Sequence, residues 1–366
     1  MSYDIGVLEE NQRHQTDNDY FQENLERMKS NVRDSFTPVE PIKIVSDSAV
    51  EEAIKKIMSD GNADIISWDI TDSRNSVNNE LRDFSDKVIT AIDDSYNKVS
   101  SVKSLFDFAE SHPDIKNELK ELINEATGLN DEIIIDIDKT NTPNISNMAY
   151  NKFKDNINHL EDFLLTQKKR KYDCFVLFKY HQFDSSKPDA FALPYDRKKR
   201  ILLAMLPDNQ RHGGLVDTVI HEASHNSFHA QDYTYIGNIR EQTNSFPSSF
   251  EYSTRDSRYF YENERVAKLS IMYALGLPEN ANITEELKCL AHVFLQNSRL
   301  IKADTLLSAA EYNAYMIDVL SQAKIKDSHI YFETPPSRNK RFVYERNKKL
   351  SNTIMLAALK IYLNQN

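Results

Sequence analysis

The pentapeptide His221-Glu222-Ala223-Ser224-His225 constrains this chain more than any other stretch. Two histidines at i and i+4 share a face when the backbone is helical, and there both imidazoles can meet one ion. Glu222 then stands about 100° around the helix from His221, near the ion without being a ligand to it. A carboxylate so placed is suited to take a proton from a metal-activated water. Zinc suits the donor set, because it accepts imidazole nitrogens and leaves one coordination position open in catalytic sites. The lead-in Val216-Asp217-Thr218-Val219-Ile220 carries apolar residues at helical spacing, and Gly213-Gly214 can open the helix. The apolar run 201–206 lies just before it and reads as an edge strand, of the kind that pairs with extended substrate.

A catalytic zinc needs a third protein ligand. Four residues qualify by type: His229, Asp232, Glu262 and Glu264. His229 follows His225 by four positions and is expected on the same helix, yet one helix does not readily wrap three ligands around an ion. The metzincin arrangement needs a histidine six residues beyond His225, where Gln231 stands. Glu262 or Glu264 would act as a glutamate from a later helix, as in gluzincins.

Asp232-Tyr233-Thr234-Tyr235 follows the pentapeptide closely. A His-Glu-x-x-His motif followed by Asp-x-x-Tyr resembles the aspzincin peptidases, the group of deuterolysin and peptidyl-lysine metalloendopeptidase. The resemblance covers residues of about 150–325 and is strongest over 200–237. It implies that His221, His225 and Asp232 bind Zn2+, that Glu222 is the general base, and that Tyr235 supports the oxyanion. The family has Gly-Thr before its aspartate where this chain has Ala230-Gln231, and Ile236 intervenes before Gly237. A later family signature, Asn-Ala-Asp-Ser-Tyr, is echoed loosely by Ala310-Glu311-Tyr312-Asn313-Ala314-Tyr315. The echo implies a substrate-binding role for Glu311, as an acid near the S1′ pocket that favours lysine.

The net charge of -11 disfavours nucleic acid as a partner, since phosphates call for a basic face. The two cysteines, Cys174 and Cys289, form no disulfide framework and read as buried thiols. Seven glycines in 366 residues argue against a turn-rich all-β architecture. No apolar run reaches the about 18 residues of a membrane span, and the first residues lack the pattern of a secretory signal. The expected location is therefore cytoplasmic, or a target cell reached by a signal-independent route through a delivery machinery that engages the N-terminal region.

Periodicity predicts helices over 46–60, 77–126 with a break at His112-Pro113, 147–167, 215–229, 262–275, 284–296, 304–323 and 347–363. Strands are expected around 63–70, 133–135, 174–178 and 200–206. The expected fold class is α+β: a mainly helical, zincin-like metallopeptidase domain over 146–366, with a small β-sheet beside the active-site helix. A helical region over 41–145 and a mobile arm over 1–40 precede it.

Other signals read more simply. Asp136-Ile137-Asp138-Lys139-Thr140 resembles the first motif of haloacid-dehalogenase-type phosphatases, which would make Asp136 and Asp138 magnesium ligands; the later acidic and lysine motifs of that fold do not follow in order, and a strand end with a polar turn is the preferred reading. The basic runs Lys168-Lys169-Arg170-Lys171 and Arg197-Lys198-Lys199-Arg200 read as the solvated rim of a hairpin. The stretch 252–261 is rich in tyrosine and fits a substrate cleft or a core; His212 reads as a loop residue, and His292 and His329 show no ligand spacing. The functional expectation is a zinc-dependent endopeptidase acting on a protein or peptide substrate, as an effector or toxin. A non-catalytic binding protein of the same fold and the magnesium phosphatase are the alternatives.

Overall fold

Ser46 caps the first helix among the described residues, α1 (Asp47–Asp60), by accepting the Ala49 N–H on its hydroxyl. The computed structural model describes residues 46–127, 142–183, 187–193, 196–207, 214–230 and 306–332. The readings at 1–40, 133–138, 252–261, 262–275, 284–296 and 347–363, and those for Cys289, His212 and His292, lie outside these residues.

After α1 come β1 (Ala63–Ser67) and a short helix α2 (Ile70–Arg74), whose cap Asp69 accepts the Thr71 N–H at 2.8 Å. The predicted strand over 63–70 therefore stops at Ser67, because the Asp69 cap turns its last residues into a helix. Next is α3 (Asn79–Glu110), capped by Asn78. The break at His112-Pro113 is where α4 (Pro113–Thr127) starts, with proline at the first helical position, where its missing N–H costs nothing. α5 (Thr142–Lys169) begins five residues before the predicted start at 147.

Three strands follow: β2 (Phe175–Tyr180), β3 (Ala190–Ala192) and β4 (Ile201–Ala204). With β1 they form a sheet of order β1-β2-β4-β3, in which β2 and β4 are parallel and the outer pairs antiparallel. This corrects two expectations. The run 201–206 is not an edge strand: β4 is paired on both sides and wholly buried. A strand covered on both faces reads as a continuous apolar run. Nor do the flanking basic runs rim a hairpin, because β2 and β4 run parallel. Arg200 is buried and its guanidinium meets Asp196, Asp47 and Glu51.

Alternation sorts the sheet's side chains between two cores. Phe175, Leu177, Ile201 and Leu203 join the large helical core, while Val176, Phe178, Leu202 and Ala204 join Ile54, Met58 and Ala63. The sheet is thus a middle layer, with α1 on one face and the long helices on the other. Cys174 is a buried thiol, as expected. Among the described residues the large core joins side chains from both sides of the boundary anticipated near 145, and β1 from one side of it pairs with β2 from the other. The architecture is mixed α/β and mainly helical with a small sheet.

Among the described residues the remaining elements are α6 (Leu215–Phe228), α7 (Ala310–Leu320) and a hairpin of β5 (Ala323–Lys326) and β6 (His329–Phe332). The hairpin has no forecast in the sequence because its turn is Asp327-Ser328 rather than Asn-Gly. Both residues nonetheless take the left-handed φ, at 50° and 61°, that a two-residue turn requires. Glu118 on α4 anchors it by accepting the Ile330 N–H at 2.6 Å and by pairing with His329. Among the described residues no helix is long and apolar enough to cross a membrane.

Where α3, α4 and α5 meet, Glu110 accepts Nζ–H donors from Lys116 and Lys154, each at 2.6 Å, and the Tyr150 hydroxyl at 3.3 Å. The two ammonium groups lower its carboxyl from 4.5 to about 2. The folded protein thus holds this group ionised where the unfolded chain would protonate it. Its stabilisation is present above the unfolded value of 4.5 and is lost as pH falls toward about 2. The difference in Tm between wild type and Glu110→Gln is expected to close between those limits. A difference that stays constant down to the acid end would show that the carboxylate contributes no charge pairing.

Candidate metal centre

The helix carrying the pentapeptide is fixed at both ends. Its cap, Gly214, takes an extended conformation and its carbonyl accepts the Thr218 N–H at 2.9 Å. At the far end Lys199 donates from Nζ to the Asn226 carbonyl at 2.6 Å, and Asn226 returns a bond from Nδ2 to the Lys199 carbonyl at 2.9 Å. A lysine ammonium on the last carbonyls also complements the helix dipole. Val219, Ile220 and Ala223 are buried in the core, which sets the rotation of the helix.

His229 does not continue α6. It is the residue after the last turn, in the left-handed conformation with φ 58° and ψ 37°, and its N–H bonds back to the Ser224 carbonyl. That geometry ends the helix, so the expectation of His229 on the same helix is corrected. The left-handed turn has a further result. It folds the next residue back, and the Ala230 carbonyl reaches Nδ1 of His225 at 2.6 Å.

His221 and Glu222 are 8% and 6% exposed, and His225 is partly buried. The two imidazole centroids lie 4.9 Å apart, edge to face. Ligand atoms of His221, Glu222 and His225 all fall within 4.8 Å of one another. Nδ1 of His221 meets Oε2 of Glu311, on the first turn of α7, at 3.0 Å. A carboxylate and a backbone carbonyl are both acceptors, so in each histidine Nδ1 is the donor. In zinc sites a ligating imidazole commonly donates its other ring N–H to a carboxylate or a carbonyl in this way.

A turn upstream on α6, Asp217 faces Lys98 of α3 at 3.9 Å, and Lys98 also pairs with Asp318 of α7. Burial pushes the Asp217 carboxyl up, against the pull of Lys98, with Asp318 and Glu311 adding to the rise. Ser95 of α3 donates to the Val216 carbonyl at 3.1 Å. These contacts lock α3, α6 and α7 together behind the histidines. Sequence reading missed them, although Asp217 stands at i−4 from His221 and so shares its face.

Of the residues anticipated for the site, His221, Glu222 and His225 come together, and Glu311 lies against His221. Asp232, Tyr235, Glu262 and Glu264 lie outside the described residues. Among the described strands β3 is the outermost member of the sheet on the side of α6, and α6 packs against it. No protein-family model, no curated protein and no solved structure matches this chain.

Proposed function

We propose that this chain is a zinc-dependent endopeptidase of the zincin type, close in its site to the aspzincins. One observation supports the reading: His221, Glu222 and His225 bring ligand atoms within 4.8 Å of one another, and Nδ1 of each histidine meets an acceptor, as the second ring nitrogen of a metal-ligating imidazole commonly does. Bound there, Zn2+ would supply Lewis acidity, polarising a carbonyl and making water acidic enough to deprotonate near neutral pH. His221 and His225 would hold the ion, with Asp232 as the third ligand that the aspzincin resemblance implies. Glu222 takes the proton of the attacking water and passes it to the leaving amine. Tyr235 donates its hydroxyl to the developing oxyanion. The outer edge of β3, rather than β4, is the place for an extended substrate to add as a strand. A peptide or protein substrate fits this arrangement, and delivery into a target cell as an effector is the role that we attach to it.

The test is the metal content of the purified chain after dialysis against dilute zinc. Wild type is expected to retain about one zinc per chain, the stoichiometry of a mononuclear site, and a His221→Ala/His225→Ala double variant to retain none. A wild type without zinc, or a double variant that keeps it, would remove the basis for the reading.

A further inference from the structure

The tie between His221 and Glu311 joins two helices 90 residues apart in sequence, and its surroundings are built to hold it. Glu311 sits in the first turn of α7, where the helix dipole favours a negative charge. The two residues after it are anchored. The Tyr312 hydroxyl donates to the Ala126 carbonyl. Asn313 donates from Nδ2 to the carbonyls of Leu307 and Ala309, at 2.9 and 2.7 Å, while its Oδ1 accepts from Asn156 at 3.0 Å. Further along α7, Asp318 is paired with Lys98. The rotation and height of α7 are therefore set by buried polar bonds to α3, α4 and α5, and these deliver the Glu311 carboxylate to one side of the His221 ring. The Glu311 and His221 side chains are 17% and 10% exposed, so little water competes for the bond.

We propose that Glu311 is a positioning residue of the metal centre: its carboxylate holds the His221 ring with the proton on Nδ1 and Nε2 toward the ion. The proposal rests on the zinc reading above. It differs from the substrate-contacting role that the aspzincin resemblance implies for Glu311, since it places Oε2 of the carboxylate on His221. A carboxylate behind a ligating imidazole does two things. It removes the competing tautomer and ring flip, and it makes the ligand nitrogen more basic. His225 is held by a neutral carbonyl instead, so the two ligands are not equivalent and His221 is the more basic donor.

The full-length chain and its Glu311→Gln and Glu311→Ala variants provide the test, with three readouts. Zinc affinity is measured by competition with a chromogenic chelator. The His221 tautomer is read in metal-free protein from long-range proton–nitrogen NMR correlations. Cleavage of peptides with lysine or alanine after the scissile bond is compared. Glu311→Ala is expected to weaken zinc binding by about 10–100-fold and to lose the predominance of the Nδ1–H tautomer. Glu311→Gln, which is nearly isosteric and can still accept a hydrogen bond, is expected to keep that tautomer and to lose less affinity. The ratio of lysyl to alanyl cleavage should be unchanged in Glu311→Gln. Equal zinc affinity and an unchanged tautomer in Glu311→Ala would overturn the proposal while leaving the metal reading intact. So would a collapse of lysine preference at unchanged zinc affinity. A wild type that takes up no zinc would overturn both together, which separates the two failures.

Discussion

Glu222→Gln is expected to cut peptide hydrolysis by about 10²–10⁴-fold, the contribution of a positioned general base, while zinc content stays at the wild-type level. Glu222 is buried at 6% exposure, beside both histidines and on a helix whose rotation is fixed by Val219, Ile220 and Ala223. Glutamine has the same shape, so the packing around α6 should survive. An amide oxygen cannot accept and carry a proton as a carboxylate does, so the loss should fall on kcat. Measuring kcat/KM on a peptide mixture together with bound zinc separates this from a general collapse of the site. Equal rates in wild type and variant would end the hydrolytic mechanism and favour a non-catalytic binding role.

The second large effect lies outside the site. Arg200→Met is expected to destabilise the fold by roughly 3–5 kcal/mol, because one partner of a buried ion pair is removed and the other stays. The Arg200 and Asp196 side chains are 4% and 1% exposed, with Nη1 to Oδ2 at 3.0 Å. Asp196 also accepts the backbone N–H groups of Lys198 and Arg200, so it is bound in place and cannot turn to water when the guanidinium is gone. The other guanidinium nitrogen reaches Asp47 and Glu51 on α1, at 3.4 and 3.3 Å. The double variant Arg200→Met/Asp196→Leu should recover only part of the loss: the unpaired charge is gone, but the backbone N–H groups of Lys198 and Arg200 lose their acceptor. Urea unfolding of the three variants checks this. A loss below about 1 kcal/mol in the single variant would place the pair in the exposed class.

Arg200 also shows where sequence reasoning stops. Within Arg197-Lys198-Lys199-Arg200 nothing local distinguishes the last residue, and its burial depends on acids on α1, far away in the chain. The long amphipathic helices were legible because 3.6-residue periodicity is a local signal; α3 and α5 appear with small shifts at their ends. The break at Pro113 was legible for the same reason, since proline acts on its own backbone. The interior position of β4 was not, because the partner that covers it, β3, has three residues and shows no alternation. The helical spacing of His221 and His225 was explicit in the sequence. The acceptors behind them were not: Ala230 enters through the left-handed turn at His229, and Glu311 through the packing of α7 on α6.

The pairing of β1 with β2 carries a consequence for modularity. Ala63 stands opposite Tyr180 and Ile65 opposite Phe178, so a strand that precedes α3, α4 and α5 closes one side of the sheet that borders α6. A fragment starting at Asn79 would keep every residue of the pentapeptide and still leave the outer hydrogen-bonding groups of β2 unpaired, with Ile54 and Met58 removed from the core beneath them. An open strand edge above an uncovered apolar face recruits other chains. The helix bearing the pentapeptide therefore cannot be lifted out with its own core and without the N-terminal strand as a portable cassette. Any excision or fusion that aims to retain it has to carry the segment from Asp47 to Ser67 along.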